Sequence, residues 1–394
     1  MASRVTSNIV GCETFTLCVS NEGQVYSCGT NKHHSLGYSA DKPVTIPTVI
    51  PSLINIKAVS CGKFHSICLD IDGNVFSFGL NNWNQLGLGK DSTELHHIIE
   101  PQKVELPLIR AISCGQFSTI CLTDDGFLYS FGRNHHGQLG LGIFNDGFNV
   151  PSKIDGLSDI EFVECGGYHV FCKTLNNEIY VWGNNELGEL GIKNTKNQHT
   201  PVKNINVPNN IVDIKCGCFF TIVLTAQQEV FSCGDNTAGQ LGQNNESLQC
   251  LSSLKQINSL SNIKRIECGD YHCMCIDNDD ILFGFGDNGY GQLGLSDYEN
   301  RPSPVKLPLN DKEYVSKLLG YPSLSNIIDI SSGGSHVFVK TSSNVVFGSG
   351  YNRYMQMGVS TNGEFQLSPI RVFEDNEDIW FSNINKSKQK SARF

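Results

Sequence analysis

Cys61 stands four residues before His65, Cys165 four before His169, and Cys268 four before His272. A thiol beside an imidazole is the raw material of a nucleophile–base pair. No third residue within any of these strings is placed to orient the imidazole. Cys216 with Cys218, and Cys268 with His272, Cys273 and Cys275, suggest a second chemistry, zinc binding. A structural zinc site needs two ligand pairs held by tight turns. Cys268 and Cys275, however, have counterparts at 61/68, 114/121 and 165/172 that carry no extra ligands. The reading is therefore no catalytic residue, no metal and no cofactor. No Walker-type loop occurs, and the Gly-x-Gly strings fall in strand turns rather than between a strand and a helix. His65, His169, His272 and His336 are expected to bond loop backbone while lying where a partner would dock.

Composition narrows the remaining classes. The chain has 394 residues, with 29 basic against 39 acidic, a formal net charge of −10. Binding to a nucleic-acid duplex is driven by neutralising phosphates with a basic surface, so direct nucleic-acid binding is not expected. No apolar run reaches the roughly 18 residues of a membrane span, and the first 15 residues lack a signal-peptide core. The expected setting is intracellular, nucleus or cytoplasm, for a monomer with no membrane contact. The 16 cysteines recur in phase with a repeat, which fits small buried hydrophobes in a reducing compartment.

That repeat organises the chain. The glycine closing each Phe-Gly-like step falls at 29, 79, 132, 183, 234, 286 and 350, at intervals of 50, 53, 51, 51, 52 and 64 residues. Cys-Gly precedes it by 18 and 17 residues at 61/62, 114/115, 165/166, 216/217 and 268/269. Gly11-Cys12 and Ser332-Gly333 take those places in the first and last copies. Each copy holds three apolar stretches rich in Val, Ile and Phe, the second and third joined by hairpin signals such as Asp72-Gly73 and Asp125-Gly126. A fourth, Pro-bearing piece follows, as an edge strand tolerates. Four-stranded units with a period near 50 predict an all-β chain, a seven-bladed β-propeller of four-stranded antiparallel blades. One domain is expected over 1–385, with an insertion at about 309–324 before the last repeat, weakly helical at 311–319, and a short basic tail at 386–394. In the tail, Lys386, Lys388, Lys390 and Arg393 are read as a frayed end or as an import or phosphate contact. Asp378 to Phe381 resembles an extra inner strand that would pair with the first copy near residues 7–10.

Cys-Gly-x-x-His, then Asp-Gly, then (Phe/Trp)-Gly-x-Asn-x-x-Gly-Gln-Leu-Gly resembles the repeats of the regulator of chromosome condensation family, over about residues 5–380. The resemblance implies a seven-bladed propeller and a protein partner. Its founding activity implies guanine-nucleotide exchange on a Ran-like small GTPase, with no covalent chemistry. The alternative is a scaffold or adaptor without exchange activity. In family terms the partner meets the residues just after Cys-Gly. Here these are Lys63-Phe64-His65, Gln116-Phe117-Ser118, Gly167-Tyr168-His169, Cys218-Phe219-Phe220, Asp270-Tyr271-His272 and Gly334-Ser335-His336. Asp270 is the one acid among them, where an exchange surface would carry several.

One feature lies outside the family pattern. The second place after Cys-Gly is aromatic in five successive copies: Phe64, Phe117, Tyr168, Phe219 and Tyr271. A propeller sets equivalent positions on one ring of one face, so these side chains form either an amphipathic collar for a partner or ordinary core beneath the loops. Their solvent exposure decides between the two.

Overall fold

Alternating strands and tight turns build seven four-stranded antiparallel sheets in the computed structural model, which describes residues 8–89, 95–245, 247–311, 313–315, 326–361 and 363–372. Blades 1 to 7 occupy 9–49, 56–104, 109–153, 160–203, 211–256, 263–306 and 327–372. Within each blade the strands pair in chain order from the innermost outward. The second strands of blades 2 to 5 are buried at every residue, including HSICLD and STICLT. The outermost strands are half exposed and carry the expected prolines in six blades, as in Val44–Val49 and Arg301–Lys306. The turn between second and third strands takes a left-handed residue in all seven blades, but only Gly23, Gly73 and Gly126 are glycines. Asn177, Gln228, Asp280 and Asn344 adopt that conformation at φ of 63° to 64°, a modest strain.

No blade has a core of its own. Each apolar cluster straddles two neighbours. Ile67, Leu69 and Val75 of blade 2 pack on Ile109, Cys121 and Phe131 of blade 3. Phe338, Val346 and Met357 of blade 7 pack on Ile9 and Cys18 of blade 1. Burying these faces supplies roughly 1.5–3 kcal/mol per large side chain, and only closure gives the first and last blades a partner. At the closing joint Ser331 Oγ donates to Ile9 O at 2.8 Å, and Thr16 Oγ1 donates to Gln356 O at 2.7 Å. The innermost place of blade 1 is filled by Ile9–Gly11, paired with Phe15–Val19. The pairing expected for 378–381 and the tail residues Lys386, Lys388, Lys390 and Arg393 fall outside the described residues. Of the insertion, Pro308–Asn310 forms a 3-10 turn, and Val315 is buried against blades 6 and 7.

The cysteine reading needs one correction. Cys12 and Cys61 are joined as a disulfide across blades 1 and 2, while the other 14 cysteines are free. The physical reason lies in the reversed order Gly11-Cys12. The cysteine of the first copy takes the place that glycine holds in the others, and so faces the cysteine of the next blade.

Candidate functional site

The Cys-Gly ends of the innermost strands converge on the axis around a cavity of about 140 Å³. There the loops of successive blades are tied by backbone hydrogen bonds. Lys63 N donates to Gln116 O (2.9 Å), Gln116 N to Gly167 O (3.0 Å) and Gly167 N to Gly217 O (3.1 Å). Cys218 N donates to Asp270 O (2.9 Å), Asp270 N to Gly334 O (3.2 Å) and Gly334 N to Cys12 O (3.2 Å). Six joints are closed in this way. The seventh, between blades 1 and 2, carries the disulfide and an ion pair of Lys63 Nζ with Glu13 Oε2 at 3.0 Å. The axial thiols are poor nucleophiles. Burial pushes Cys114 up to about 12 and raises Cys165, Cys216 and Cys268 as well, which removes the thiolate that chemistry would need.

Beneath the loops lies a layer of histidines. His65, His169, His272 and His336 are 0%, 1%, 0% and 0% exposed, so their expected role as partner-contacting residues is corrected. Each ring is packed on the glycine of its own Cys-Gly or Ser-Gly pair. Nε2 of His65, His169 and His336 meets the hydroxyl of Thr119, Thr221 or Thr16 in the following blade, at 3.1, 2.8 and 3.4 Å. At His272 the following blade offers Val337 instead, and neither ring nitrogen has a partner among the described residues. Burial lowers the pKa of His65, His169 and His336 to about 3 and that of His272 to about 4. All four are buried spacers, and three of them, His65, His169 and His336, stitch blades together. In the same layer a glutamine side-chain oxygen accepts a loop N–H in five blades, as Gln138 Oε1 does from His136 N at 2.9 Å. Blade 4 has Glu189 in that place. One of its oxygens accepts from Leu187 N at 2.9 Å, the other has no partner among the described residues, and burial raises its pKa to about 7.

One residue earlier in the chain, the five aromatic side chains Phe64, Phe117, Tyr168, Phe219 and Tyr271 are all half-buried. They stand side by side along the rim. Ring centroids are 6.5 Å apart for Phe64–Phe117, 5.6 Å for the stacked Tyr168–Phe219 pair and 6.5 Å for Phe219–Tyr271. Their backbone is held from behind. The anchor glycine of blade 3, Gly132, has φ +104°, and a Cβ there would lie 2.5 Å from Phe117 O, so no other residue lets strand and collar loop approach so closely. Asp270, beside the axis, is half-buried; burial and the charge of Glu13 raise its pKa to about 6 against the pull of Lys63. The equivalents in blades 1 and 7 are Thr14 and Ser335, and there the collar opens into a cavity of about 260 Å³ walled by Tyr290, Tyr351 and Tyr354.

The structure therefore gathers the collar and Asp270 on one face and takes the histidines out of it. It also adds residues that the sequence reading did not single out, from the ends of third strands and the loops that follow them. The Arg133 guanidinium carbon sits 4.6 Å from the Trp83 ring centroid, 5.9 Å from Phe117 and 5.8 Å from Tyr168, within cation–π range. His33 packs on Phe64 at 4.4 Å and His136 on Tyr168 at 5.3 Å. The available signal was the place just after each anchor glycine, which reads Thr30, Leu80, Arg133, Asn184, Asp235, Asp287 and Tyr351. That variety contrasts with the invariant asparagine that follows it.

Comparison with known proteins agrees with this architecture. The RCC1-like domain matches residues 2–204, and the regulator of chromosome condensation (RCC1) repeat matches 228–276 and 279–339. The chain belongs to this family. Among relatives, it is 28% identical to the ultraviolet-B receptor UVR8 of Arabidopsis thaliana, over 93% of this chain and 83% of that protein. It is 32% identical to the serine/threonine-protein kinase Nek9 of Mus musculus, over 65% of this chain but 27% of the kinase. The chain thus spans about a quarter of that relative's length. The solved yeast RCC1 (Prp20), bound to Kap60, has the same fold at a TM-score of 0.77 and 19% identity, over 94% of this chain and 89% of that one. Among the described residues of this RCC1-family propeller, no helix is long and apolar enough to cross a membrane.

Proposed function

We propose that this propeller is a protein-interaction module whose collar face docks a protein partner in the nucleus or cytoplasm. The observation that carries the reading is the row of five half-buried aromatic rings on a rim whose loops are hydrogen-bonded from blade to blade. Rings of this kind, held in place before binding, give large contact area at low entropic cost. Partner-binding roles are proposed for Phe64, Phe117, Tyr168, Phe219, Tyr271 and Asp270. The histidines beneath them act by shaping the loops.

Nucleotide exchange on a Ran-like small GTPase is the specific activity to test. It is supported by family membership, and the fold likeness to Prp20 is consistent with it; Asp270 is the one acid next to the collar where an exchange surface would carry several. The alternative is an adaptor that holds a partner without exchange. Two measurements test the proposal. In the first, partners captured from native lysate by the wild-type chain are compared with those captured when Phe64, Phe117 and Tyr168 are all changed to Ala. Loss of a partner is expected, and identical capture would refute the docking role. In the second, release of a fluorescent guanine nucleotide from Ran is followed with micromolar propeller. No acceleration leaves the adaptor.

A further inference from the structure

The collar face is electrically uneven, and the unevenness singles out one site. The place just after the anchor glycine holds an aspartate in blades 5 and 6 and Arg133 in blade 3. Both aspartates are satisfied inside their own loops. Asp235 accepts from Thr237 N (3.0 Å), Thr237 Oγ1 (3.0 Å) and Gln240 Nε2 (2.8 Å); Asp287 accepts from Gly289 N (3.0 Å) and Gln292 Nε2 (2.7 Å). Arg133 has no such closure. A guanidinium carries five N–H donors, and the side chain uses the one on Nε, donated to His135 Nδ1 at 3.0 Å. Among the described residues no carboxylate pairs with it. The nearby Asp146 is engaged by His135 Nε2 at 3.1 Å, and Lys63, the neighbouring cation on the rim, is matched by Glu13.

The guanidinium is nevertheless not loose: Trp83, Phe117 and Tyr168 all lie within cation–π range of it, and the side chain is half-buried. Arginine held on aromatic faces loses little entropy when its fork meets a planar anion. A single cation without a direct carboxylate partner suits a monoanionic carboxylate. A phosphate dianion draws several clustered cations, and a nucleic-acid backbone needs a row of them. This chain, at −10 overall, offers neither here.

We propose that Arg133 and its three rings form a carboxylate-binding site that docks an acidic segment of a partner protein. An Asp or Glu side chain lies on the guanidinium fork, and an adjacent apolar side chain rests on Phe117 and Tyr168. The inference depends on the docking role proposed above and names the chemistry of its ligand.

The test is selection of peptides from a random 12-residue library on the immobilised propeller, followed by titration of the enriched sequence as a synthetic fluorescent peptide. The expected result is an enriched Asp or Glu beside an apolar residue. Arg133→Gln should weaken that peptide about ten-fold or more, as loss of a charge-assisted bond does, with melting unchanged. Arg133→Lys should fall between, because the charge stays and the stacked fork is lost. The aspartate-to-asparagine twin of the peptide should match the Arg133→Gln loss. The inference is overturned if selection yields no acidic consensus or no binder. It is equally overturned if Arg133→Gln binds the acidic peptide as tightly as the wild type, or if a phosphoserine twin binds through Arg133 where the carboxylate peptide does not. Non-acidic binders that are lost on Tyr168→Ala would keep the collar as a docking face while removing this site.

Discussion

Phe64 and His65 are neighbours in the chain, yet after folding they occupy different layers of the same face. The first stands half-buried in the collar, and the second is sealed beneath it, its Nε2 on the Thr119 hydroxyl of the next blade. The same split separates Tyr168 from His169 and Tyr271 from His272. The upper layer touches its neighbours ring to ring and keeps part of its ring surface exposed. The lower layer is consumed in joining blades. The difference teaches that recurrence in a repeat marks two kinds of residue, and that one position along a strand decides which kind.

Substitutions can break this contrast in order of size. The largest effect is expected at Gly132, where positive φ and the carbonyl of Phe117 leave no room for a side chain. Gly132→Val should cost at least about 3 kcal/mol, seen as a fall in melting temperature or as insoluble protein. Unchanged melting would mean that collar and strand are not locked together.

Next comes the histidine layer. His169→Ala should cost about 2–3 kcal/mol through the lost ring packing and the Thr221 contact. His272→Phe should be neutral or stabilising, since both nitrogens of His272 lack partners and blade 5 already holds Phe220 in that place. Equal losses at the two sites in denaturant titration would contradict the joint-by-joint account. The pH dependence carries the same sign for all four histidines. Their folded pKa values lie near 3 to 4 against about 6.5 unfolded. Between those limits the unfolded chain binds more protons, so their contribution is full above pH 6.5 and declines as pH falls, by up to about 1.4 kcal/mol per pH unit per histidine.

Glu189 works in the opposite direction. Its folded pKa of about 7 lies above the carboxylate value of 4.5, so its cost grows from pH 4.5 to 7 and is complete above that. Glu189→Gln restores the side chain found in five other blades and should stabilise by about 1–3 kcal/mol at pH 8, with no gain at pH 4. A pH-independent effect would show that the second carboxylate oxygen is not buried alone. The smallest effect on stability belongs to the upper layer. Phe117→Ala or Tyr168→Ala should cost about 1 kcal/mol or less while removing partner capture. A loss as large as that of His169→Ala would place the collar in the core.

Much of the fold was legible because the strings recur in phase. The anchor glycines set the blade count, and Asp-Gly steps marked hairpins in two blades, with Glu22-Gly23 in a third. The hairpins at Asn177, Gln228, Asp280 and Asn344 share the geometry without the glycine signal, since a left-handed residue is favoured by glycine and only tolerated by others. The collar was legible as a pattern but not as a surface. Exposure of Phe117 depends on loops from blades more than 30 residues away, and the company of Arg133 comes from Trp83 and Tyr168, one in each flanking blade.

By itself the sequence determined that seven β units of about 50 residues exist, where their strands and turns fall, and that matching loops share one face, because local periodicity and turn chemistry act within a single copy. Only the tertiary structure decided that histidines lie under the face and aromatic rings upon it, that Cys12 meets Cys61, and that Arg133 has no carboxylate partner among the described residues. Those outcomes arise at the joints between blades, where contacts form only once the ring closes.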